Sequence, residues 1–496
     1  MIENKSPSRF LNHTDMKKIF CIFFTGIALF FVQACTEKSE ETKVLPKPPV
    51  AVTPPAGKNL YYVATTGSNA HTAEQAKNAA TPWKTIQKAA NNISGGSTVL
   101  IAGGTYNEKV TLPESCNGTA LAPTVFRNKP GEAVILEGNN GGVIWEGLIN
   151  LKNNAFITLK GIKVQNVYWF GFQIESSTSI SIDSCATFNT GASGIYVKLS
   201  TEATITNNNI RKACQRTFRE PNGNGTQEDI TLTGVSKFKV SNNEVWDSTV
   251  SGAAGGEGID AKGGSFEGEI SNNYIHDIVP LGIYLDAGSK ESYNIRIFGN
   301  RLERTGGLSV AGELGGYAHD IFFYNNLVRE SSNCGIIFQD IGKGRFSNVY
   351  VVNNTFYNNA RVGFAGDVGS YTQNQANANN VIRNNIFYNK TPNSRFSIWH
   401  NYAAGHVISH NLYYDFKVSN NSSNSFNQSS LTATDVVLDP LFSNVDMGDF
   451  SLKAASPAIN KGTVITLPNS STLLFTTDLK SKTRGTSNWD MGAYEF

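Results

Sequence analysis

The sequence predicts an all-β fold: a parallel β-helix solenoid with a short N-terminal capping helix. Three observations predict it. First, a β-branched run, Asn-Asn or a near relative, and another apolar residue recur as ITNNNI, VSNNEV, ISNNYI, IFGNRL, FYNNLV, VVNNTF, IRNNIF and ISHNLY. The reference residues Asn208, Asn243, Asn273, Asn300, Asn326, Asn354, Asn385 and Asn411 are spaced by 35, 30, 27, 26, 28, 31 and 26 residues. A period of this size marks stacked units, each too small to bury its own apolar face. Second, the units are rich in Val, Ile, Phe and Tyr, broken by Gly and Asn, and lack helical periodicity, so they read as short strands. Third, Asn tolerates the left-handed backbone of a sharp corner and bonds to nearby backbone. Asparagines at one corner of successive coils should therefore form an amide ladder at the strand spacing of about 4.8 Å.

The elements follow in order. Residues 1–34 read as an export signal, with basic Lys17-Lys18 ahead of the apolar stretch IFCIFFTGIALFFV. Met16 is an alternative start. The stretch ends at Val32-Gln33-Ala34-Cys35, which is similar to a bacterial lipobox and implies lipidation of Cys35. A single uncleaved membrane anchor is the alternative, although the stretch is short for a span. Residues 35–57 are polar and Pro-rich, as a flexible tether is. Residues 58–496 read as one β-helix domain, since solenoids grow by adding coils. YYVATTG is its first strand, and TPWKTIQKAANNI predicts a short amphipathic helix, started by Thr-Pro, that covers the open end. LDPLF, DFSLKAASPAINKGT and the final TTDLKSKTRGTSNWDMGAYEF form a closing segment.

The net charge of the chain is +2, and without residues 1–34 the two signs balance. That argues against nucleic acid as a partner, because such proteins carry a basic footprint. Cys116, Cys185, Cys214 and Cys334 lack zinc-ligand spacing. Cys185 and Cys334 are expected in the core. Cys116 and Cys214 are expected in polar loops, where a disulfide is possible.

A second phrase lies between the asparagine corners: GFQIE (171–175), GIYVK (194–198), GIDAK (258–262), GIYLD (282–286), GLSVAGE (307–313), GIIFQD (335–340) and GFAGD (363–367). With the glycines aligned, the fourth position after each forms a column of Glu175, Lys198, Lys262, Asp286, Ala311, Gln339 and Asp367. Glu257, Asp260, Glu313 and Asp340 lie beside it. Alternate residues share a strand face, and coils are about 5 Å apart, so Asp260, Lys262, Asp286 and Glu313 should meet. Stacked carboxylates repel unless a cation, a lysine or a shared proton separates them, and so costly a cluster suggests a site. Two plainer accounts compete: solvated acids at coil edges, and a ladder of surface ion pairs.

The N-terminal unit, the repeats and the closing segment together resemble the bacterial right-handed parallel β-helix proteins of the pectate-lyase-like superfamily. The resemblance implies the fold and an action on carbohydrate. EGIDAK resembles the calcium-binding coil of family 9 pectate lyases, with Glu257 at the acid position and Lys262 at the lysine. Asp286 stands where that family has several acids in a short run. The same spacing also resembles that of alginate and dermatan lyases, whose downstream arginine has no match here.

Two chemistries fit one site. The first is β-elimination on a uronic acid, as a polysaccharide lyase or, with water leaving, as a dehydratase. It needs a neutralised carboxylate, a base and an acid. Ca²⁺ held by Glu257, Asp260, Asp286 and Glu313 would neutralise. Lys262 would be the base if burial or Lys198 lowers its pKa. Tyr284, Tyr317 and His319 are further proton-transfer candidates. The second is glycoside hydrolysis by Asp286 and Glu313. A non-catalytic surface glycan-binding role is the third reading. Lys198, Arg216 and Arg219 are candidates for anionic groups of the substrate, the two arginines on a loop over 211–229. Trp169 is a candidate for sugar stacking or for the core. The partner expected is an anionic polysaccharide or oligosaccharide, met by a monomer tethered by lipid to the bacterial outer membrane.

Overall fold

The computed structural model describes residues 59–216, 225–248, 255–333, 335–340, 343–359, 361–362, 378–389, 395–396, 407–414 and 431–496. Cys35, Arg219, Cys334 and Asp367 lie outside them.

Among the described residues, three parallel sheets run along a β-helix. Sheet A has 13 strands, from Leu60–Val63 to Val407–Ser409. Sheet B has 12, from Gly104–Tyr106 to Leu412–Tyr414. Sheet C has 9, from Val110–Leu112 to Ile336–Gln339. One coil visits the sheets in turn, as in Ile283–Asp286 (C), Glu291–Phe298 (A) and Arg301–Glu303 (B). Alternation puts Ile259, Ala261, Ile283 and Leu285 into the continuous core and turns Asp260, Lys262, Tyr284 and Asp286 outward.

The capping helix α1 covers Ile86–Asn92. It begins later than the Thr-Pro start predicts. Thr85 is its N-cap, accepting from Lys88 N at 3.1 Å, and Glu108 accepts from Ile86 N and Gln87 N at 2.8 and 2.9 Å. Trp83 instead pairs with Val63 and is fully buried.

The asparagines form the predicted ladder between sheets A and B. From Asn208 to Asn411, each Nδ2 donates to the Oδ1 of the next at 2.9 to 3.1 Å. Each main-chain N–H meets the same oxygen, for example Asn273 N to Asn300 Oδ1 at 3.0 Å. The left-handed residue is the one before: Asn207, Asn242, Asn272, Gly299, Asn325, Asn353, Asn384 and His410 have φ of 52 to 66°. The ladder stops where Asn411 N donates to Asp435 Oδ1 at 2.8 Å.

Cys116, Cys185 and Cys214 are free and buried. The polar-loop placement of Cys116 and Cys214 is thus corrected: both pack in the core. The closing segment lies on the last coils through Phe450, Met491 and Tyr494, packed on Tyr357, Ile386 and Leu412. Arg484, wholly buried, donates to Glu495 Oε2 at 2.6 Å, Asn325 Oδ1 at 3.0 Å and Gly492 O at 3.0 Å.

Candidate active site

Sheet C sets the register of the candidate residues. Its outer column reads Glu175, Lys198, Thr233, Lys262, Asp286, Ala311 and Gln339. Thr233 belongs to the strand Ile230–Thr233, which no glycine introduces, and it separates Lys198 from Lys262. The neighbouring column runs Gln173, Tyr196, Thr231, Asp260, Tyr284 and Ser309. Asp260 is therefore opposite Tyr284 rather than Asp286, so the two acids stand in neighbouring columns and not in one row. Gly258 permits this stacking, because a Cβ there would come within 2.5 Å of the Gly282 carbonyl oxygen.

Lys262 is enclosed by acids. Its Nζ is 2.6 Å from Glu228 Oε1 and 3.7 Å from Asp260 Oδ2. Glu228 lies back over its own strand, its Oε2 accepting from Thr231 Oγ1 at 3.0 Å, and Ser193 Oγ meets the same hydroxyl at 2.9 Å. Asp260 is 1% exposed, and its Oδ1 has no hydrogen-bond partner. Burial works against the charge on Lys262, but Glu228 and Asp260 outweigh it and hold the ammonium above its ordinary pKa. The lowered pKa that a lysine base needs is not met, and the proposed contribution of Lys198 is absent because that side chain is exposed beyond Thr233. Burial, then Glu228, pushes the Asp260 carboxyl well above the carboxylate range.

The next two coils supply a second pair of acids. Burial and then Glu313 raise Asp286 to about 7, while the Gly288 N–H, 2.7 Å from Oδ1, and Lys262 pull the other way. Tyr284 donates to Glu313 Oε1 at 2.6 Å, reaching across to the following coil. Burial, then Asp286 and Glu313, hold the Tyr284 hydroxyl far above its ordinary pKa. Glu257 stands at the start of the Ile259–Lys262 strand, its carbonyl accepting from Asp229 N at 2.8 Å, and its charge acts on both Asp260 and Lys262.

The structure thus brings together Glu257, Asp260, Lys262, Tyr284, Asp286 and Glu313. It does not bring His319 to them. That ring lies on sheet A between Tyr293 and Tyr317, at 5.3 and 4.5 Å, with Asp320 Oδ2 at 2.6 Å and Glu291 Oε1 at 3.0 Å. Tyr317 is in that same stack, under the Arg345 guanidinium. Arg216 is held over the Tyr168 ring at 3.5 Å, its Nε donating to Tyr168 O at 2.9 Å. Trp169 is wholly buried among Phe170, Ala192 and Tyr196, which removes it from sugar stacking. Glu228 and Thr231 were missed in the sequence, where 211–229 reads as a loop. The legible signal was an acid two residues before a β-branched run, EDIT beside EGID.

The oxygen donors here have the chemistry of a calcium site, but their arrangement does not fit one. Among the described residues, no three Asp, Glu, His or Cys side chains converge where a metal ion would be held. The ammonium of Lys262 lies against Glu228 and Asp260 instead.

Against known proteins, a family model described as a Pel9A-like, right-handed β-helix region matches residues 61–277. The uncharacterized protein YwoF of Bacillus subtilis is 25% identical over 515 aligned positions, covering 89% of this chain and 99% of that one. Pectate lyase PEL9 of Emericella nidulans is 40% identical over 57 residues, 12% of this chain and 14% of its own. Among solved structures, pectate lyase Pel9A superposes with a TM-score of 0.53 at 15% identity, covering 88% of this chain and 96% of that one. XylC, solved with xylose, superposes with a TM-score of 0.57 at 13% identity, covering 88% and 98%. At these identities the structural likeness shows the fold.

Proposed function

We propose, for a chain whose residues 61–277 form a Pel9A-like right-handed β-helix region, that it is an enzyme cleaving a glycan at a C–O bond, with Asp286 giving its proton to the leaving oxygen. One observation carries this reading. Asp286 and Glu313 stand on successive coils in unlike surroundings, one carboxyl raised to about 7 and the other accepting from Tyr284. Two carboxyl groups on neighbouring coils in such unlike surroundings are suited to divide the roles of acid and second catalyst in glycoside hydrolysis. Asp286 keeps a proton near neutrality and delivers it to the glycosidic oxygen. Glu313, oriented by Tyr284, acts at the sugar carbon directly or through water. Lys262, paired with Glu228, orients the sugar.

β-Elimination is the second reading. It is favoured by the family match, which includes the Glu257–Lys262 strand. Two features weigh against it. Lys262 must first lose a proton that Glu228 and Asp260 hold in place. A uronate must also approach a cluster of five acids and one lysine. Both readings imply a polysaccharide or oligosaccharide partner. With them goes a lipid anchor at Cys35 and a place on the outer membrane, which radiolabelled palmitate tests through its loss in Cys35→Ala.

A panel of neutral and uronate-containing glycans separates the chemistries. Hydrolysis releases reducing ends without the ultraviolet absorbance of an unsaturated uronate. Appearance of that absorbance would transfer the assignment to a lyase, or to a dehydratase where no chain is cut. Binding without either signal would leave a glycan-binding module.

A further inference from the structure

We infer that Lys262 is the built-in cation of this acid cluster, taking the place a divalent ion would occupy, so that the folded site needs no metal and becomes a divalent-cation site once the ammonium is removed. The inference is independent of whether the reaction is hydrolysis or elimination.

Three observations support it. The first is position: Nζ is 2.6 Å from Glu228 and 3.7 Å from Asp260, on the strand that Glu257 begins. A compact, hydrated charge on a flexible stem is suited to neutralising several carboxylates at once. The second is the donor count. No three acidic, His or Cys side chains among the described residues converge as metal ligands, so the carboxylates as folded around Lys262 are not arranged for a divalent ion. The third is Asp260 itself. Its carboxyl is buried and directed at the cluster, and its Oδ1 has no partner. Buried oxygens in that state mark a place where positive charge or a proton completes the site.

In Lys262→Met the stem volume stays filled and only the ammonium is lost, so Glu228 and Asp260, with Glu257 at the start of the same strand, are left without their cation and are free to close on another. Hard oxygen donors there suit Ca²⁺, which accepts irregular geometry and bidentate carboxylates. Ca²⁺ would then stabilise the variant by binding only its folded form.

The test uses the full chain, with Ca²⁺ and its luminescent analogue Tb³⁺ as probes and no substrate. It therefore stands or falls apart from the proposed activity. For the unsubstituted protein, we expect the same Tm in EDTA and in about 10 mM Ca²⁺, and no bound Tb³⁺ luminescence. For Lys262→Met, we expect a Ca²⁺-dependent rise in Tm of at least about 2 °C and Tb³⁺ luminescence sensitised by nearby Tyr196 or Tyr284. Adding Glu228→Gln should weaken that binding at least about tenfold. A Ca²⁺-dependent Tm in the unsubstituted protein would overturn the inference, even where the variants fail to fold. So would a folded Lys262→Met that ignores both ions.

Discussion

Asp286 holds its proton because leaving water and facing Glu313 both disfavour the charge, and one backbone N–H and Lys262 do not fully compensate. The consequence for stability has a definite sign. The ordinary value is 3.8 and the folded value about 7, so the folded chain binds more protons than the unfolded one between those limits. Stability from this group is therefore present below pH 3.8, falls as pH rises through the window, and is lost above about 7. Asp286→Asn cannot ionise. It should unfold at a higher temperature than the unsubstituted chain at pH 8 and lose part of this slope in thermal melts across pH 4 to 8. The same variant should lose about 10²- to 10⁴-fold in kcat on any substrate found, since the proton donor is gone. Much of this residue's setting was legible: a fixed offset after each glycine placed Lys262 beside Asp286. What hid Glu228 was that no glycine directly precedes its strand, where Asp229 stands instead, and that no repeat phrase marks it. The charge on Lys262 depends on that contact, so its chemistry could not be read from spacing alone.

At the scale of the element, the coil corner does two jobs with two adjacent residues. The first takes the left-handed backbone, where Asn, Gly and His alternate; the second, always Asn from 208 to 411, supplies the ladder. Asn300→Ala should destabilise the fold by about 1–3 kcal/mol for each buried group it orphans, read as a lower denaturation midpoint in urea. The groups concerned are Asn273 N and Nδ2 and the Ile270 carbonyl, whereas Asn326 Oδ1 keeps the main-chain N–H of residue 300. An unchanged midpoint would mean that water replaces the amide. The period was legible because every coil repeats one chemical requirement. The helix start was not, because Trp83 is pulled into the first strand's neighbourhood and Glu108, from a later segment, caps the helix. Tertiary contacts moved the boundary that local preference would have drawn.

For the whole molecule, stability is a chain of neighbour contacts, and the closing segment fixes the far end. Arg484 joins that segment to the Asn325 corner while bonded to Glu495 and Gly492. Arg484→Ala removes the cation from the half-buried Glu495 carboxyl and the donors from Asn325 Oδ1 and the Gly492 carbonyl, a loss of about 1–3 kcal/mol for each group left unsatisfied. Limited proteolysis should then release the C-terminal coils first, leaving a resistant fragment that retains the first strands and α1. Uniform digestion would show that the coils unfold together. The asparagine ladder also has a direction. Each coil offers N–H donors toward the next and waits for an oxygen that the later sequence brings. A chain emerging from its N-terminus thus always carries one unsatisfied rung at its growing edge, ready to template the coil that follows. Asp435 ends this: its Oδ1 takes the Asn411 main-chain N–H, the Asn411 amide turns back to the Ile382 and Ser409 carbonyls, and a carboxylate side chain has no N–H with which to ask for another oxygen.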